Sequence, residues 1–90
     1  MYIEITPDNW DNHTLNQVIK TCRQVQKSSD LSLLMLNLVN VPILNSGGVV
    51  VLISLKDLLR ERMNMDLKLT GLSPENQAIL NSSGLSALLQ

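Results

Sequence analysis

Ninety residues set the scale of one small domain, residues 1–90, which buries only about 60–65% of the surface its unfolded chain exposes. Hydrophobic residues make up 44% of the chain, Leu supplies 18 positions, Phe is absent, and Trp10 and Tyr2 are the only aromatics. The net charge is −1, from 7 basic and 8 acidic residues, with neither the basic stripe nor the stacking platforms of a nucleic-acid binder, so no nucleic-acid partner is expected.

Tyr2 to Thr6 alternates, with Ile3 and Ile5 on one face, and reads as a short strand. Pro7-Asp8-Asn9 is a turn signal, and a helix begins at Asp11 or Asn12. Leu15, Val18, Ile19, Cys22 and Val25 form its apolar stripe; Lys20, Arg23 and Lys27, diluted by Asn, Gln and Thr, take the solvated side. The single cysteine, Cys22, excludes an internal disulfide and a cysteine-based zinc cage, and its place in the stripe makes it a core thiol. Ser28-Ser29-Asp30 closes this helix. Leu31 to Leu38 is nearly continuously apolar, which suits a central strand covered on both faces.

Val39 to Leu44, with Pro42 marking a loop, leads to Asn45-Ser46-Gly47-Gly48. Val49 to Met63 follows as a helix: Leu52, Leu55, Leu58, Leu59 and Met63 keep helical spacing, and Arg60 and Arg62 suit its C-terminal end. Asp66 to Thr70 alternates as another strand, and Gly71 turns it. Ser73-Pro74 starts a third helix as N-cap and first residue, Gly84 ends it, and Leu85, Leu88 and Leu89 finish the chain as a short turn or helix. Strand and helix alternate, which implies an α/β fold with a mainly parallel sheet and right-handed crossovers.

A strand that turns through two glycines into a helix leaves free N–H groups at the helix start. A serine there can cap the helix, face a partner or accept a phosphate. Catalytic and metal chemistry find little support. His13 is the only histidine and lies in a first helical turn, Ser46 has no nucleophile elbow around it, the nearby polar residues Asn37, Asn40 and Asn45 are amides, and no lysine follows Gly48 as in a Walker loop. No catalytic residue, metal or cofactor is expected. The start Met1-Tyr2-Ile3-Glu4 has no leader-like pattern, and the longest apolar run, Val49 to Leu55, is broken by Ser54 and too short to span a bilayer. A cytoplasmic location without membrane insertion is expected.

The stretch from Leu34 to Leu89 resembles the STAS domain of anti-sigma factor antagonists and of some transporter subunits. The resemblance rests on Val41-Pro42-Ile43-Leu44-Asn45-Ser46-Gly47-Gly48, followed by Leu72-Ser73-Pro74 and Ser83-Gly84-Leu85, in the family's order. It implies a mainly parallel, mixed four-stranded sheet with helices packed on it, in a short version. It also implies a non-enzymatic module that binds a protein through Asn45, Ser46, Gly47, Gly48, Val49 and Val50, with Val49 or Val50 supplying an apolar contact. The family's usual phosphoacceptor is the second hydroxyl residue of its D-S-[ST]-G motif, and that position here is Gly47. Asn45 and Asn37 stand where the family often has Asp, so Ser46 is the remaining candidate phosphoacceptor. The implied partner is an anti-sigma factor or kinase. The Ser46-Gly47-Gly48 version of the loop also resembles the small STAS subunit of Mla-type lipid-transport ABC transporters, whose partner is the ATPase. The family's extra N-terminal strand has no room here, which leaves a sheet edge open to a partner or to a second copy in a homodimer.

Overall fold

The structure is a computed structural model that describes residues 1–88. Its elements are β1 (Tyr2–Ile5), α1 (Asn12–Gln26), β2 (Leu33–Asn37), α2 (Ser46–Met63), β3 (Asp66–Thr70), α3 (Pro74–Ser82) and a short 3-10 turn (Ser86–Leu88). The strands form one sheet in the order β1-β2-β3, and both pairings are parallel. The expected fourth strand and mixed sheet are therefore corrected to three parallel strands among the described residues. The reason lies in the connections. Helices of 15 and 18 residues separate successive strands, the crossover that parallel neighbours require. Leu89, expected in the closing turn, lies outside the described residues.

Short polar side chains set the helix boundaries. Asp11 Oδ1 accepts the Thr14 N–H at 2.9 Å, and Ser73 Oγ accepts the Asn76 N–H at 3.2 Å with Pro74 at the first helical position. At the far end of α2, Asn64 takes the left-handed conformation (φ 52°) and the Met65 N–H reaches the Leu59 carbonyl at 2.9 Å. Asparagine tolerates that conformation where most residues do not.

Register then decides the core. Ile3 and Ile5, Leu34 and Leu36, and Leu67 and Leu69 lie side by side on one sheet face. Right-handed crossovers put α1 and α2 together on that face, and the two helices touch. Leu34, Leu36, Leu52, Leu55, Leu59 and Cys22 are fully buried there. Burial pushes the Cys22 thiol up to about 11, as expected for a core cysteine. The other face carries Leu33 and Met35, both half-buried, and the exposed Tyr2, Glu4, Asp66 and Lys68. β2 is thus covered by helices on one face, not on both as its apolar run suggested.

Candidate functional site

The site is the connection from β2 to α2, and hydrogen bonds along its length, including Val41 N–H to the Leu38 carbonyl at 3.0 Å, give it one shape. Asn37 Oδ1 accepts the Val39 N–H at 3.1 Å, and the Leu38 N–H continues the sheet by donating to the Thr70 carbonyl at 2.8 Å. Further along, Asn76 reaches over from α3. Its Oδ1 accepts the Leu44 N–H at 2.8 Å, and its Nδ2 donates to the Pro42 carbonyl at 3.4 Å. Asn76 is 1% exposed, the most buried polar side chain among the described residues. A buried amide persists only when its donors and acceptors are matched, and here the backbone of the loop matches them.

Asn45 is the N-cap of α2, not Ser46. Its Oδ1 accepts the Gly48 N–H at 2.8 Å, and its carbonyl accepts the Val49 N–H at 3.1 Å. The helix consequently starts at Ser46, three residues before the expected Val49. Ser46 occupies its first position, exposed, in a first turn that holds no acidic residue. The positive end of the helix dipole therefore has no carboxylate within its own first turn. Gly47 is exposed while Gly48 is buried against Leu44, where a Cβ would sit 3.1 Å from Leu44 Cδ2. Val49 turns into the core at 8% exposure and Val50 turns out at 60%.

The six sequence-designated residues are therefore contiguous at one helix start, but only Asn45, Ser46, Gly47 and Val50 are exposed. Around them stand Ile43, 66% exposed, and Ile53, one turn along α2 from Val50. An open groove of about 630 Å³ runs from Asn45, Ser46 and Val50 to Ala78 and Ile79 of α3. Its lining carries no charged side chain. The Ile43 and α3 contributions were not evident from the sequence, although Ile43 stands beside Pro42, where an apolar residue on an irregular segment signals exposure.

The polar residues considered for a triad with Ser46 are not brought to it. His13 is exposed on α1, and Asp11 is committed to capping; the Thr14 N–H, joined by the Thr14 hydroxyl, holds its carboxyl below the usual range. Neither is hydrogen-bonded to Ser46, and among the described residues no group of three His, Cys, Asp or Glu could hold a metal ion.

The glycine-rich start of α2, the Leu72-Ser73-Pro74 start of α3 and the Ser83-Gly84-Leu85 end of α3 now have places in the fold. The STAS domain family model matches residues 9–90 of the chain. The chain belongs to the STAS domain family. No curated protein matches it. STAS domains generally mediate protein–protein interaction and are generally non-enzymatic. This STAS domain has, among its described residues, no helix long and apolar enough to cross a membrane.

Proposed function

We propose that this STAS domain is a non-enzymatic binding module of the anti-sigma factor antagonist type, presenting the Asn45–Gly48 loop and the first turn of α2 to a regulatory partner. The observation that carries this reading is the uncharged groove lined by Asn45, Ser46 and Val50, with exposed Ile43 just before it in the chain. A few side chains carry most of an interface's energy, and Ile43 and Val50 are the exposed apolar side chains this region offers to a partner. The partner is an anti-sigma factor, of kinase type where it also modifies its antagonist. Because Gly47 stands at the usual acceptor position, binding is constitutive with respect to that position, and Ser46 is the hydroxyl left for modification.

The Ser46-Gly47-Gly48 sequence favours a second reading, an accessory subunit that docks on the ATPase of a lipid-transport ABC transporter. Affinity purification from the native host, with wild type beside Val50→Asp, separates the two by the identity of the partner. An anti-sigma factor bound about tenfold more weakly by Val50→Asp supports the first reading, and an ABC ATPase supports the second. Equal recovery with Val50→Asp would remove the groove from either.

A further inference from the structure

Parallel sheets are normally covered on both faces, and their strands read as continuous apolar runs for that reason. Here β2 keeps the run but has only one helical cover. Leu34 and Leu36 fill the helix side, while Leu33 and Met35 lie on the other face, half-buried, with the 3-10 turn (Ser86–Leu88) bordering it only beside β3, near Leu33, Asp66 and Lys68. The register sets two rows across this face. Tyr2, Leu33 and Asp66 form one, and Glu4, Met35 and Lys68 form the next.

The second row reads acid, apolar, base from one sheet edge to the other. The Asn37 Nδ2 donates to Glu4 Oε2 at 3.0 Å, which holds the carboxylate over the sheet instead of off its edge. A two-fold axis parallel to the strands, passing over Met35, would exchange β1 with β3. Glu4 of each copy would then face Lys68 of the other, Met35 would meet Met35, and Tyr2 would lie over Asp66. The perpendicular two-fold would stack Glu4 on Glu4 and Lys68 on Lys68, which like charges oppose. The pattern is complementary to itself in one orientation only.

We propose that two copies of this chain associate through this face, sheet on sheet, with Met35 at the two-fold axis. Packed sheets lie about 10 Å apart with strands inclined by about 30°, which leaves room for Met35, a side chain that adapts to irregular gaps. The contact is small. Three strands at about 4.8 Å and five residues at about 3.3 Å give a footprint of roughly 14 by 17 Å, well below the ~800 Å² per partner of tight complexes. The dimer is accordingly weak and concentration-dependent. The groove beside Ser46 lies on the helical side of the sheet, so dimerisation does not occupy it.

Sedimentation velocity on the full chain at low salt, from about 10 μM to about 1 mM, tests the proposal with wild type, Glu4→Lys, Lys68→Glu and an equimolar mixture of the two variants. Both positions are exposed, and circular dichroism checks that each variant is folded. Wild type should move from monomer to dimer, and each single variant should weaken association at least about tenfold, the effect of about 1.4 kcal/mol. The mixture should restore the dimer. Across a heterodimer the lysine introduced by Glu4→Lys faces the glutamate introduced by Lys68→Glu, and the unaltered Glu4 and Lys68 face each other. Charge pairing within one chain cannot produce that rescue. A wild type that stays monomeric throughout, dimers indifferent to both substitutions, or a mixture no better than its components would each overturn the proposal. The first of these results would leave the face to a different protein or to a lipid surface.

Discussion

Replacing Asn76 by alanine should loosen the partner-facing loop and the fold together. The side chain is 1% exposed, and its Oδ1 is the acceptor for the buried Leu44 N–H at 2.8 Å. Truncation leaves that N–H without an acceptor and without water, which costs about 1–3 kcal/mol. The Pro42 carbonyl belongs to an exposed residue and recovers a water, so its 3.4 Å bond adds little. The void left by the carboxamide adds roughly another 1 kcal/mol. The expected loss is about 2–4 kcal/mol, equivalent to a fall in Tm of roughly 10–25 °C for a domain of this length. Urea denaturation followed by circular dichroism gives the global figure, and amide exchange at Leu44 and Gly48 reports the loop. Gln77→Ala is the control, since that exposed neighbour makes a single 3.4 Å bond to the Leu72 carbonyl. A loss below about 1 kcal/mol in Asn76→Ala, with Leu44 exchange unchanged, would refute the reasoning, because it would mean that the buried N–H finds another partner.

Other perturbations test separate elements. Gly71→Ala should destabilise by about 2–4 kcal/mol in denaturant titrations, since φ is +68° there and a Cβ would meet Asn37 Oδ1 and come within 2.9 Å of the Val39 nitrogen. Ser46→Asp should raise stability by about 0.3–1 kcal/mol, because α2 has no acid in its first turn; a lowered Tm would contradict the exposed placement of Ser46. Cys22 should resist alkylation in the native state at pH 8, with its thiol pushed up to about 11 by burial. Its folded pKa lies above the unfolded value, so its contribution to stability is complete below about pH 9 and is lost as pH rises toward 11. Cys22→Ala should therefore show a shallower alkaline decline in stability than wild type, measured by denaturation at pH 8, 9.5 and 11.

α1 was legible because its stripe repeats over about three turns with polar residues opposite, and Ser73-Pro74 marked α3 with a chemical signature. The start of α2 was not, since Gly47 and Gly48 have poor helix propensity and read as a turn. A cap overrides propensity there: Asn45 Oδ1 holds the Gly48 N–H in helical position. Asn76 was hidden for a different reason. It sits between Glu75 and Gln77, and nothing in Glu-Asn-Gln distinguishes the buried amide from its exposed neighbours. Of the two valines that could face a partner, helical phase settles which one does, and that phase depends on where the helix begins. The sheet was overfilled by analogy: a fourth strand came with the resemblance, while the alternation of strand and long helix in this chain already dictated parallel pairing.

That no two strands among the described residues are joined by a hairpin also shapes how the chain reaches this structure. Tyr2 meets Leu33 and Leu33 meets Asp66 only after a whole helix has been bridged. No strand pair can form early from neighbours in sequence, so loop closure precedes every sheet hydrogen bond. β2 is the one strand common to both pairings, which makes it the place where the search for the native arrangement ends. Truncating Leu34 or Leu36 to alanine should then slow refolding, whereas truncating Leu80 in the last helix should chiefly hasten unfolding.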